Sequence, residues 1–114
     1  MTVIYKICTA AEWRDAERAG VYRGSEVDRR DGFIHFSTAE QAVETARKHF
    51  TGQRSLVLVS VDAESLGDRL TWEPSRGGDL FPHLYGELYV AAVLRAGPLP
   101  LDASGRHVFP RSLV

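Results

Sequence analysis

Short apolar blocks punctuate this chain, some alternating with polar residues like strands and two recurring with a helical period. Val3-Ile4-Tyr5-Lys6-Ile7-Cys8 is rich in β-branched residues and reads as a first strand. Thr9 stands three residues before Glu12, the spacing at which each side chain can satisfy the other residue's backbone N–H, so a helix is predicted to start there. Trp13, Ala16 and Ala19 give that helix an apolar face, and Gly20 suits its C-cap. A polar segment with Gly24, Ser25 and Asp28 then leads through the Asp31-Gly32 turn to a second strand, Phe33-Ile34-His35-Phe36-Ser37.

Ser37 and Glu40 repeat the capping spacing, and Ala39, Ala42, Val43, Ala46 and Phe50 recur at helical intervals up to Gly52. The small residues on this face suit close approach to a sheet. Ser55-Leu56-Val57-Leu58-Val59-Ser60-Val61 has apolar residues on both faces, which predicts a central strand. Asp62 to Gly67 suits a helical turn, and Leu70-Thr71-Trp72-Glu73 a short strand. A loop from Pro74 to Pro82 follows, then His83-Leu84-Tyr85-Gly86, an apolar run from Leu88 to Leu94, and a final edge strand around Gly105 to Phe109. These elements predict an α+β fold of short mixed or antiparallel sheets with two principal helices, over residues 10–19 and 38–50. No repeat, low-complexity tract or linker divides residues 1–114, so a single small domain is expected.

Composition changes this picture little. A chain of 114 residues with 44% hydrophobic and 25% charged residues can build one core without a metal or disulfide staple. A formal charge of -1 argues against an extended nucleic-acid footprint, which needs a concentrated basic face, though a small basic pocket fits it. Cys8 stands alone and reads as a buried, inert thiol. The start of the chain lacks the basic opening and long apolar run of a signal peptide, and no apolar stretch is long enough to span a bilayer. A cytoplasmic location without a membrane partner is therefore expected.

The candidate chemistry centres on two segments. In a strand, Phe33, His35 and Ser37 share one face, and His35 reads either as a structural histidine in an interior network or as a catalytic or ligand-orienting group. Ser37 is a candidate helix cap, and a phosphate bound near that electropositive terminus would be physically reasonable. Trp72-Glu73-Pro74-Ser75-Arg76-Gly77-Gly78 combines a stacking surface, a carboxylate, a guanidinium and permissive backbone. Arg76 could clamp a phosphate or carboxylate, or pair with Glu73 and hold the loop. Tyr85 could stack on a ring or anchor the core by its hydroxyl, and His83 alternates with it. The two glycines make no phosphate-binding loop, because no Lys-Ser/Thr pair follows. The four histidines lack the local spacing of a zinc site. His49, beside Arg47 and Lys48, reads as solvated.

Ile4-Tyr5-Lys6-Ile7, Asp31 to Thr38, Trp72-Glu73 and Phe81-Pro82-His83-Leu84-Tyr85-Gly86 together resemble the small bacterial family called domain of unknown function 952. The resemblance spans almost the whole chain. Members of that family look like the ADP-ribosyltransferase fold, in which two short sheets grip an NAD-like ligand. On that likeness Phe33 to Ser37 would border the nicotinamide side of a cleft, His35 would orient ribose hydroxyls or diphosphate, and Tyr85 or Trp72 would stack on a ring. The Arg-Ser-Glu and His-Tyr-Glu triads of typical transferases have no clear copy here.

The resemblance implies an NAD-dependent ADP-ribosyl transferase or NAD-processing enzyme. His35 and Glu73 would be its catalytic residues, with Glu73 favouring positive charge on the sugar. Ser37, Trp72, Arg76, His83 and Tyr85 would hold the cofactor, and no metal is called for. A non-catalytic module binding a nucleotide, phosphorylated sugar or other small anion uses the same groups without a transition-state carboxylate. A protein-interaction or regulatory domain would instead show a partner-facing apolar patch. The residue types predict that His35, Arg76 and His83 converge on one cleft, with Trp72 or Tyr85 as a wall.

Overall fold

The computed structural model describes residues 1–111, the Arg76 side chain excepted. Its strands are β1 (Val3–Thr9), β2 (Val21–Tyr22), β3 (Ile34–His35), β4 (Leu56–Asp62), β5 (Leu70–Pro74), β6 (Leu80–Leu84), β7 (Leu88–Tyr89) and β8 (Val93–Leu99). Three α-helices accompany them: α1 (Ala10–Ala19), α2 (Glu26–Asp31) and α3 (Ala39–His49). All pairings are antiparallel and form three sheets, ordered β1-β4-β8, β3-β6-β5 and β2-β7. The α+β class therefore holds.

Local signals explain the helix ends. Thr9 caps α1, its Oγ1 accepting the Glu12 N–H at 3.0 Å while Glu12 Oε1 accepts the Thr9 N–H at 3.0 Å. Gly20 closes that helix in the left-handed region and donates its N–H to the Ala16 carbonyl. Trp13 and Ala16 are buried as expected, but Ala19 is exposed. The expected cap of α3 shifts by one residue. Ser37 is held by reciprocal backbone bonds with Tyr5, both 2.8 Å, so Thr38 caps the helix and pairs with Gln41. Val43, expected on the apolar face, is exposed, while Ala42 and Ala46 are buried.

β4 lies between β1 and β8, as its two apolar faces require. Val59 and Val61 enter one core cluster with Ile4, Ile34, Phe36 and Leu84, and Leu56 and Leu58 enter a second with Ile7, Ala46 and Leu99. Truncating any of the fully buried large side chains to alanine removes about 2–5 kcal/mol of stability.

Three further expectations change. The loop from Pro74 to Pro82 shrinks to residues 75–79, because Pro74 and Pro82 both lie in strands. Pro82 has no N–H, yet its carbonyl accepts the Phe36 N–H at 3.0 Å where β3 ends, so no continuing ladder misses its donor. The run from Leu88 divides into β7, a 3₁₀ turn and β8, and β8 passes through Pro98 because it is an edge strand. Among the described residues, the tail forms a bridge between Leu101 and His107 rather than a strand.

The segment after α2 organises the molecule. Ile34 and His35 pair with Leu84 and His83 of β6, and two residues later Ser37 pairs with Tyr5 of β1. One short stretch thus crosses from one sheet to the other. Among the described residues no helix is long and apolar enough to cross a membrane.

Candidate functional site

Where the chain crosses between sheets, a cleft of about 560 Å³ opens, bordered by β1, the β3–β6 pair, α2 and α3. Lys6 and Cys8 line it from β1, Asp28 from α2, His35 and Ser37 from the crossing segment, and His83 from β6. His35 and His83 are direct cross-strand partners, which turns both imidazoles to the same face of the sheet. Their ring centroids lie 5.5 Å apart. Phe33 stacks on His83 at 4.0 Å and lies tilted against His35 at 4.5 Å.

Each imidazole is held by a carboxylate. Asp28 Oδ1 is 2.6 Å from His35 Nδ1 and also accepts the His35 backbone N–H at 3.2 Å. The same carboxylate meets Lys6 Nζ at 3.0 Å through Oδ1 and 2.7 Å through Oδ2, and accepts the Ser25 N–H at 2.9 Å. Burial pushes the Asp28 carboxyl up, but the hydrogen bond from His35 and the positive charge of Lys6 outweigh it and hold the group below the usual carboxylate range. On the far side of the ring, His35 Nε2 lies 3.1 Å from Asp31 Oδ2.

Local sequence builds this arrangement. Ser25 caps α2 and exchanges bonds with Asp28, so the short helix starts by fixing the carboxylate that later holds His35. Gly24 has φ 98°, and a Cβ there would come within 2.7 Å of Asp28 Cβ, so both conformation and space call for glycine. Gly32 ends α2 in the left-handed region just before β3.

On the other ring, His83 Nδ1 is 2.7 Å from Glu73 Oε1, and the Tyr85 hydroxyl donates to the same oxygen at 2.7 Å. The hydrogen bond from Tyr85, then that from His83, lowers the Glu73 carboxyl, and the Glu73 bond raises the Tyr85 phenol. Among the sequence-nominated residues, His35, Ser37 and His83 share the cleft wall. Glu73 and Tyr85 stand behind His83 rather than among the lining residues. Trp72 is out of phase with its neighbours: Thr71 and Glu73 oppose His83 and Phe81, so Trp72 points to the other face of β5. The Arg76 side chain, nominated for anion binding, lies outside the described residues.

Ser37 does not cap α3; its hydroxyl is 3.4 Å from that of Thr45. Cys8 is buried, and burial pushes its thiol up to about 12, which suits the inert reading. His49 is exposed, as expected, and borders the cleft.

Two residues central to the site escaped the sequence reading, Lys6 and Asp28. Strand alternation places Lys6 on the same face as Ile4 and Cys8, an inward lysine that demands a buried partner. The Ser25–Asp28 spacing is a capping box with aspartate in place of glutamate. Those two signals together could have nominated the pair. Among the described residues, no cluster of His, Cys, Asp and Glu is suited to hold a metal ion.

The model of the family described as "Protein of unknown function (DUF952)" matches residues 7–96. The chain belongs to the DUF952 family. Solved structures agree with that placement. This DUF952 chain is 54% identical to protein CC0527 of Caulobacter crescentus in its crystal structure, over 98% of each chain and with a TM-score of 0.93. The solution structure of the same bacterial protein aligns at 57% identity, covering 93% of this chain and 91% of that one, with a TM-score of 0.85. No curated protein matches the DUF952 chain.

Proposed function

We propose that this chain is an ADP-ribosyltransferase-like protein whose cleft binds NAD or an NAD-derived nucleotide. One observation carries the reading: two carboxylate-held imidazoles, His35 and His83, stand in register on one wall of a cleft bordered by two sheets. The volume of about 560 Å³ falls within the range of small-molecule sites. The donor set suits such a ligand. Hydroxyls of Ser37 and Thr45 and the imidazoles match ribose and diphosphate oxygens, and the rings of Phe50 and Phe81 match a nicotinamide or adenine plane.

NAD supplies an N-glycosidic bond whose cleavage releases nicotinamide. The chain's own part is to hold the sugar. His35 presents to the ribose or phosphate oxygens a ring held by Asp28 and Asp31. Glu73 acts through His83 and not directly on the ligand, because it lies outside the cleft lining with its Oε1 engaged by His83 and Tyr85. That engagement also favours a second reading, a module that binds a nucleotide or small anion without turning it over.

Isothermal titration of NAD, ADP-ribose and AMP against the wild type and the His35→Ala, His83→Ala and Arg76→Ala variants tests the site. Weakened affinity in folded His35 and His83 variants is expected. Affinity unchanged in both would remove the cleft from consideration. Nicotinamide release followed by proton NMR then separates transfer from binding alone.

A further inference from the structure

We propose that Glu73 is a positioning residue that keeps the neutral His83 ring protonated on Nδ1, so that Nε2 offers its lone pair to a hydroxyl of the bound ligand. The proposal rests on the cleft being the ligand site and decides which of its two imidazoles accepts a proton. Glu73 Oε1 has two partners at 2.7 Å, His83 Nδ1 and the Tyr85 hydroxyl. An ionised carboxylate only accepts hydrogen bonds, so both partners must donate. The lowered Glu73 carboxyl and raised Tyr85 phenol agree with that arrangement. The His83 proton therefore sits on Nδ1. Nε2 has no hydrogen bond among the described residues, and the ring borders the cleft with its plane fixed by the stacked Phe33.

His35 differs in the one respect that matters. A carboxylate oxygen faces each of its nitrogens, Asp28 at Nδ1 and Asp31 at Nε2, which leaves no lone pair open to a ligand. Both His35 nitrogens are thus taken by carboxylates, and His83 is the imidazole fitted to accept. A ligand hydroxyl at His83 Nε2 can be held there as a donor. If its proton moves to Nε2, the hydroxyl oxygen keeps the bonding pair, and the resulting imidazolium faces the Glu73 charge through Nδ1–H. The chemical class implied is a hydroxyl donor such as a ribose or an alcohol acceptor.

Long-range proton–nitrogen correlation spectra of the ¹⁵N-labelled full chain at about pH 8.5, above the ordinary histidine range, read the tautomer without any ligand. A pyrrole-type Nδ1 and pyridine-type Nε2 are expected at His83. Glu73→Ala should shift the proton toward Nε2, whereas Tyr85→Phe should leave it on Nδ1. A wild-type His83 protonated on Nε2, or a pattern unmoved by Glu73→Ala, overturns the proposal. Should Glu73→Ala fail to fold, the wild-type tautomer decides alone. Addition of ADP-ribose should move the Nε2 resonance, and a bound ligand that leaves it unmoved also counts against the assignment. Absence of any binding overturns the nucleotide reading instead, and the ligand-free tautomer still decides this one.

Discussion

The two imidazole–carboxylate pairs of the cleft are built in opposite senses. In the first, the Asp28 side chain is 1% exposed and the His35 ring 33%. In the second, the His83 ring is 7% exposed and the Glu73 side chain 35%. A partly exposed carboxylate needs no buried lysine, and Glu73 is held on the edge strand β5 by two hydrogen-bond partners, His83 and Tyr85. A carboxylate taken out of water must be compensated, and Asp28 draws on Lys6, His35 and backbone N–H groups of Ser25 and His35. The first pair is therefore part of what holds α2, β1 and β3 together. The second is attached to a finished hairpin.

The largest expected effect follows from that contrast. Asp28→Ala strands the Lys6 ammonium in a site where it is 8% exposed, and such uncompensated burial costs about 3–5 kcal/mol. Urea denaturation should show this loss, and a Lys6→Met/Asp28→Ala double variant should recover part of it. Equal midpoints for Asp28→Ala and Glu73→Ala would break the comparison.

A smaller effect appears in acid. Asp28 has a folded-state pKa below its ordinary 3.8, so the stability of its ionised form is complete above the unfolded-state value and is lost as pH falls below it. Denaturation midpoints should fall between about pH 5 and pH 2 in the wild type. The Lys6→Met/Asp28→Asn variant, which carries neither charge, should show a shallower fall. An unchanged slope would mean that other carboxylates dominate the acid limb.

The smallest effect belongs to Glu73→Gln. Solvent screens this group, so its thermal midpoint should stay within experimental scatter of the wild type while ligand affinity falls. A large loss of stability without a change in binding would make Glu73 a structural residue and break the contrast.

Local pattern determined much of this molecule. The Thr9–Glu12 spacing and Gly20 delimit α1 because a capping box and a left-handed C-cap depend on neighbours in sequence alone. The doubly apolar run of β4 announced a strand covered on both faces, and the histidines at positions 35 and 83 drew notice by residue type. Competing local signals were another matter. Ser37–Glu40 and Thr38–Gln41 both fit a helix start, and the pairing of Ser37 with Tyr5 selected the second. Trp72 and Glu73 looked like one site because they are adjacent, yet the strand pleat turns them to opposite faces.

Family membership, too, was legible in the ordered segments of the sequence. What only the tertiary structure decided is the partnership of residues far apart in the chain: Lys6 with Asp28, Asp28 with His35, His35 with His83, and His83 with Glu73. Spacing in sequence constrains groups a helical turn or a strand step apart, because backbone geometry fixes those distances. Contacts between β1, α2 and β6 depend on strand register and on the burial of charge, and these arise only when the sheets assemble.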